Sequence, residues 1–463
     1  MLSNMEPTAD APVEPTEPIE HPEASAPTER WYTRLAERTI VFPLVVFFVH
    51  FLIVQITATL AYRYGTSRPS SGPYQDERLL GVPEPMSGFW ESIVGPLRLW
   101  DGLWYKLIAE THYTDIRSEG FVYGSAKAAF WPLLPWVMRN GERVLRVEPE
   151  VVGYLFTHLC FAAALIALYK LVKFDFSPAI ARRTLWAIAL FPTALFFSAV
   201  YTEAPFLLLA VVTLLCARQG NWFMAGVVGL LAALTRSQGI MLLAPMAVLF
   251  LQQYRLEYRR WVPNGFFAAL PALGPVLFGD LLESSGQNWR AFIDVQGEWN
   301  RASSNPIATL RCAFTSCELQ VHQYGEIRTY QATGAEWGWL AELWRDPSWS
   351  LVTSQTWRDT VANSDTLELV ATLLALGLAI YGLFRLPWWM SAYIWPPLIV
   401  PLFQPSSVHP LMSMPRFFIV LFPLFIVIAM LTEHRWTRYI LTPISILMLI
   451  ALTIQFSQWY WVS

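Results

Sequence analysis

From Thr39 to Tyr62 the chain is apolar almost without a break, with VFPLVVFFVHFLIVQITATLA at its centre. At about 1.5 Å of rise per residue, such a run crosses roughly 30 Å of hydrocarbon as one helix. Runs of the same kind recur at 151–172, 184–201, 204–217, 222–235, 239–254, 262–282, 366–386, 388–404, 415–432 and 437–459. The runs at 204–217 and 222–235 are short, so they need residues from their flanks, a tilt or a locally thinned bilayer. Two long stretches, 63–150 and 283–365, interrupt the series with charges every few residues and short amphipathic pieces. The pattern predicts an all-α polytopic membrane protein with about eleven transmembrane helices and two large loops outside the hydrocarbon.

Composition agrees with this pattern and narrows the function. With 54% hydrophobic and 14% charged residues, the chain is too apolar for a string of soluble domains. Its 22 Trp, 18 Tyr and 29 Phe suit many helix ends meeting a membrane interface. A net charge of -3 argues against a nucleic-acid partner, which calls for a concentrated basic face. Residues 1–29 hold seven acidic residues, six prolines and no Lys or Arg, so 1–38 is expected to be a disordered tail. It lacks the basic start and short apolar core of a secretory signal.

Short connections set the orientation. Lys170, Lys173, Arg182, Arg183, Arg218, Arg255, Arg259, Arg260, Arg385, Arg435 and Arg438 fall on one side of the predicted spans, and only Arg236 and Arg416 on the other. By the positive-inside rule the tail is cytoplasmic and both large loops are extracytoplasmic. Arg236 and Arg416 then need a separate explanation. They either snorkel to lipid headgroups or hold an anion, such as the phosphate of a lipid substrate, through the guanidinium fork.

Chemistry is expected where polar groups meet that face. In LRLWDGLWYKLIAETHYTD, residues 97–115, Asp101 stands among Trp100, Leu103 and Trp104. Desolvation there makes a carboxylate a better base, although Asp before Gly-Leu-Trp also reads as a helix N-cap. Glu110, His112 and Tyr113 close the same predicted helix and, with Trp100, are substrate-binding candidates. Glu203, beside Tyr201 and Thr202, sits at a span junction where an acid is expensive unless it is paired or faces water; the alternative is a loop acid in a tight hairpin. Thr235, Arg236, Ser237 and Gln238 interrupt the apolar pattern at the same level, and His409 and Arg416 lie on a later connection facing the same way. Pro415 before Arg416 suits a helix start. Asp101, Glu203, Arg236 and Arg416 are thus all predicted on one face.

Cys312 and Cys317 in RCAFTSCELQ lie where an oxidising compartment permits a disulfide, while Cys160 and Cys216 fall within spans. The four cysteines have no zinc-ligand spacing. The sequence contains no Asn-x-Ser/Thr acceptor, phosphate-binding P-loop, GxGxxG, HExxH or nucleophile elbow, which disfavours an ATP-driven pump and a soluble-type nucleotide-sugar enzyme.

In order, WDGLWY, IAETHY, AFWPLLPWVMR, FPTALFFSAVYTEAPFLLL, AALTRSQGIML and MPRFFIVLFPLF resemble the PIG-V-type mannosyltransferases. These include the enzyme that adds the second mannose of glycosylphosphatidylinositol anchors, and bacterial relatives. The resemblance runs from about 97 to 432 and thins across 283–365. It implies the GT-C architecture, with a polyprenyl-phosphate sugar as donor and a lipid-linked or glycan acceptor. It further implies Asp101 as catalytic base, Tyr201, Glu203 and Arg236 as site-lining residues, and Arg416 as the Arg before the late apolar helix. His112 stands where the family commonly has Gly, and Phe130, Trp131 and Pro132 where it has Phe-Phe-Pro. The expected reaction is an inverting hexose transfer, of mannose, in which Asp101 takes the acceptor proton and Arg236 or Arg416 holds the phosphate. No metal or other cofactor is expected. The expected setting is a bacterial plasma membrane with the site facing out, the alternative being an endoplasmic reticulum membrane with a lumenal site. A transporter or flippase for a lipid-linked sugar, and a noncatalytic subunit of a glycosylation complex, are the competing classes.

Overall fold

The computed structural model describes residues 39–65, 86–114, 117–118, 121–122, 124–255, 257, 259, 261–297, 299–323, 325–338, 345 and 363–462. The predicted tail, 1–38, lies outside them. The fold is helical, with two small antiparallel pairs of strands among the described residues. Its helices are α1 (Val41–Tyr64), α2 (Phe89–Val94), α3 (Asp101–Thr111), α4 (Leu133–Leu145), α5 (Pro149–Asp175), α6 (Pro178–Ala189), α7 (Glu203–Arg218), α8 (Trp222–Ala233) and α9 (Leu243–Tyr254). There follow α10 (Trp261–Ser284), α11 (Pro306–Phe314), α12 (Ser364–Leu383), α13 (Trp388–Phe403), α14 (Met414–Ile419), α15 (Phe422–Leu431) and α16 (Arg435–Ser457).

By length and composition, five of these can cross a membrane: α1, α5, α10, α12 and α16. The other predicted runs appear as shorter or broken helices. The run 184–201 is helical only to Ala189 and then turns through a 3-10 segment, Ala194–Phe197. Pro192 explains the stop, since it lacks an amide proton and disfavours helical geometry at Phe191. The run 415–432 breaks between α14 and α15, just before Pro423, and 239–254 begins as the 3-10 segment Ser237–Leu242. Irregular backbone in so apolar a chain is tolerated where protein rather than lipid surrounds it. Each of these three breaks adjoins Glu203, Arg416 or Arg236.

α5 forms the centre, packed against α4 and α7, with α8 on the far side of α7. α1 and α16 pack together at the outside. On α1, Val45, Phe48, Leu52, Ile56 and Leu60 form a continuous exposed stripe at helical spacing. Such a surface suits lipid contact and is costly in water.

The first large loop contributes α2, α3 and α4, and a strand pair β1 (Arg117–Ser118) and β2 (Phe121–Val122). The second contributes α11 and a hairpin of β3 (Cys317–Gln323) and β4 (Glu326–Ala332), paired from Cys317 opposite Ala332 to Gln323 opposite Glu326. Gly325, at φ 82°, supplies the left-handed residue such a tight turn needs. Cys312 is bonded to Cys317, tying α11 to the hairpin, while Cys160 and Cys216 are free thiols.

Candidate active site

Asp101 is the first residue of α3, so its side chain leaves the helix start. The position before it belongs to Trp100, whose φ of 58° is rare outside glycine and carries about 1–3 kcal/mol of strain. Four hydrogen bonds fix this strained entry. The Asp101 amide donates to Tyr201 Oη at 3.1 Å, and the Val200 amide donates to the Leu97 carbonyl at 2.9 Å. Arg98, one turn earlier and buried, donates through Nη1 to Glu150 Oε1 at 2.7 Å and through Nη2 to Glu91 Oε2 at 3.2 Å. Lys106 on α3 meets the same Glu150 oxygen at 3.0 Å, and Tyr62 donates to Glu91. This ion network clamps α3 to α1, α2 and α5.

The four charged residues predicted on one face come together in a single chain of ion pairs. Arg416 reaches Asp101 Oδ2 through Nη1 at 2.7 Å and Glu203 Oε1 through Nε at 2.7 Å. Arg236 reaches the same Glu203 oxygen through Nη1 at 2.6 Å. Glu203 is fully buried, and the two arginines are 8% and 7% exposed for Arg236 and Arg416, so neither snorkels to headgroups. Nor is Glu203 a solvated loop acid. Removing Glu203, the acid both arginines share, strands both of them, at about 3–5 kcal/mol.

Local sequence accounts for these placements. Glu203 opens α7, and Thr202, the residue before it, shares its hydroxyl with Arg236 Nη1 at 3.4 Å and Tyr105 Oη at 3.3 Å. Tyr105 lies four residues after Asp101 and so on the same face of α3. Arg236 is extended, linking α8 to the 3-10 turn. Gly239 is required there, since a Cβ would lie 2.4 Å from the Ala232 carbonyl oxygen and 2.4 Å from Ala233 Cα. Arg416 sits on α14 after Ser413, which has φ 71°, and its guanidinium lies 4.7 Å from the centre of the Tyr201 ring and 5.5 Å from that of Phe196.

Burial raises the Asp101 carboxyl above its ordinary range, the pull of Arg416 being the smaller effect and Glu203 adding to the rise. The arrangement is a desolvated carboxylate beside two guanidiniums, able to accept a proton next to a site for negative charge. Glu203 Oε2 has no hydrogen-bond partner among the described residues and can accept from a hydroxyl. No group of three or more His, Cys, Asp or Glu side chains is arranged to hold a metal among them.

Other sequence candidates stand apart. Glu110 and His112, both exposed, lie at the other end of α3, about 14 Å along the helix from Asp101. Glu110 pairs with Lys106 at 3.9 Å. Partial burial and the charges of Arg139, Arg143 and Lys127 hold the His112 imidazole below its ordinary range. Two of those cations serve the helix end: Arg139 donates to the Ala109 carbonyl at 2.8 Å, and Lys127 to the Thr114 carbonyl at 2.8 Å. Tyr113 is buried and donates to the Phe130 carbonyl at 2.7 Å. Trp100 is adjacent to the cluster and packs on Trp459 and Trp461, with ring centres 5.5 and 5.3 Å away. The cap reading of Asp101 gives way, because Trp100 holds that position and the carboxylate goes to Arg416. His409 pairs with Asp365 at 2.9 Å and contacts Thr333 at 3.0 Å, on the second loop's side of α12. Sequence reasoning missed the Arg98–Glu150 clamp, Tyr105 and Arg301. The first was legible only as two charges at opposite ends of an aromatic stretch.

Residues 127–278 match the family described as dolichyl-phosphate-mannose-protein mannosyltransferase. The match supports a membrane glycosyltransferase of the GT-C, mannosyltransferase-like kind. It covers about a third of the chain, including Tyr201, Glu203 and Arg236 but neither Asp101 nor Arg416. It shares the coarser class with the PIG-V-type resemblance without singling out that family. No curated protein matches the chain.

Proposed function

We propose that this glycosyltransferase moves a hexose, most readily mannose, from a polyprenyl-phosphate sugar to a hydroxyl of a lipid-linked or glycan acceptor. The reaction takes place on the extracytoplasmic face, in a bacterial plasma membrane, with inversion at the anomeric carbon and Asp101 as base. The observation that carries this reading is the buried chain Asp101–Arg416–Glu203–Arg236, drawn from three distant parts of the sequence. A structural core rarely keeps four charges where apolar packing serves as well, and perturbed groups gathered at irregular helix ends point to a reaction centre.

The acceptor oxygen bonds to the anomeric carbon as the bond from that carbon to the phosphate oxygen breaks. The electron pair leaves with the phosphate, and the acceptor proton passes to Asp101. Once protonated, Asp101 no longer neutralises Arg416, whose charge becomes available to the departing phosphate. Proton uptake and leaving-group stabilisation are thereby coupled through one ion pair. The PIG-V-type resemblance supports a lipid-anchored glycan as acceptor, with Trp100 beside the charge cluster and the exposed Glu110 and His112 further along α3 on its approach, while the buried Tyr113 supports that end of the helix from within.

The test is transfer of radiolabelled mannose from polyprenyl-phosphate mannose in membranes carrying the wild type or Asp101→Asn. Label that moves with wild type alone, into a lipid or glycan fraction, supports the reading. Donor binding without transfer by either protein, accompanied by translocation of the labelled lipid, would replace it with a carrier.

A further inference from the structure

Arg236 and Arg416 are each matched by a carboxylate, which leaves the pair of acids and pair of arginines without net charge. A third guanidinium adjoins them. Arg301 lies 5.8 Å from the centre of the Phe417 ring, whose centre is also 6.0 Å from the guanidinium of Arg236. It forms no ion pair among the described residues; its Nη2 donates to the Met412 carbonyl at 3.0 Å and its Nη1 to the Gln404 carbonyl at 3.4 Å. Glu368 on α12 acts on it only from beyond ion-pair distance, with Oε1 taken by the Ser413 amide at 3.2 Å. Burial brings the Arg301 guanidinium down to about 10, so it remains charged at neutral pH.

Its backbone is held firmly. Ala302 N donates to Pro405 O at 3.1 Å, Ser304 N to Phe403 O at 2.9 Å and Ser407 N to Asn300 O at 2.7 Å. The second large loop is thus laced to the segment leading into α14, and Arg301 is delivered to the Phe417 ring, within electrostatic reach of Arg416.

We propose that Arg301 is the residue that binds the lipid phosphate, contributing the positive charge that Arg236 and Arg416 have already committed to Glu203 and Asp101. This rests on the donor assigned above. The charges follow the reaction. With Asp101 ionised, the four paired groups and Arg301 total one positive charge, which matches the single negative charge of a phosphodiester donor. After the anomeric bond breaks, the phosphate carries two negative charges and Asp101 is protonated, so the same groups total two positive charges. A cation that acts on the charge developing at the phosphate accelerates the reaction more than it tightens donor binding.

The experiment measures binding of polyprenyl phosphate and of uncharged polyprenol of equal chain length to the purified full chain, as wild type, Arg301→Gln and Arg301→Lys. Gln can still donate to the Met412 carbonyl but lacks the charge; Lys keeps the charge but not the fork. The expected result is that wild type prefers the phosphate, Arg301→Gln loses at least tenfold of that preference, and Arg301→Lys retains most of it. Equal preference in wild type and Arg301→Gln, both folded by thermal unfolding, overturns the assignment of Arg301 alone. So does a loss equal in Gln and Lys, which marks the fork as structural. Absence of any preference in wild type overturns the lipid-phosphate reading itself, and this proposal with it.

Discussion

Asp101→Asn separates a chemical role from a structural one. Asn has nearly the shape of Asp, and the contact with Tyr201 Oη uses the backbone amide, so that hydrogen bond survives. Arg416 keeps its 2.7 Å bond to Glu203. The substitution therefore removes a proton acceptor and one negative charge while leaving the guanidinium partnered. Loss of a general base lowers the rate about 10²- to 10⁴-fold, or roughly 2.7–5.4 kcal/mol in the barrier. Glu203→Gln is the contrasting case, since both arginines share that one buried oxygen; it is expected to destabilise the fold by about 3–5 kcal/mol. Initial transfer rates at saturating donor and thermal unfolding in the same detergent check the pair. Asp101→Asn should lose the rate and keep the unfolding temperature, and Glu203→Gln should lose both. An Asp101→Asn protein with more than a tenth of wild-type rate, or with an unfolding temperature lowered as far as that of Glu203→Gln, refutes the assignment.

The Asp101 carboxyl, raised by burial, must be unprotonated to act as a base, so the rate is present above that raised value and lost as pH falls through it. The acid limb of kcat/KM against pH should lie above about 4, the ordinary carboxylate range, and a limb at or below it contradicts the role. Gly239→Ala forces a methyl group against the Ala232 carbonyl and Ala233 backbone; about 1–3 kcal/mol of lost stability, read by thermal unfolding, should accompany reduced transfer because Arg236 leads this turn. Cys312 and Cys317 should resist maleimide until reduced, and Cys312→Ser should lower stability by about 2 kcal/mol on the loop-entropy scale; labelling of both in the native protein counts against the bridge.

Much of the architecture was legible because long apolar runs have few physical solutions in a bilayer. The eleven predicted runs correspond to helical regions, but the prolines at 192 and 423 broke two of them at places hydropathy cannot register. The charge asymmetry of short connections singled out Arg236 and Arg416 before any geometry was known, since a cation without a topological reason needs another. Pairing was not legible. No spacing rule joins Arg416 to Glu203 across 213 residues. Arg301 escaped because it stands in a polar loop among other charges, where composition gives one arginine no distinction; only its lacing to 403–407 brings it within electrostatic reach of Arg416. Glu110 and His112 drew notice by proximity in sequence to Asp101, yet an eleven-residue helix carries them to its far end.

The order in which these charges leave the ribosome follows from the ion-pair chain. Glu203 meets its first counter-ion early, because Arg236 is only two short helices, α7 and α8, further along. Asp101 has no guanidinium partner until Arg416 is made, 315 residues later. Through most of biosynthesis the half-built chain therefore holds an uncompensated acid beside a membrane, behind a Trp100 whose aromatic neighbours, Trp459 and Trp461, arrive later still. The nascent protein is inert until its last helices dock.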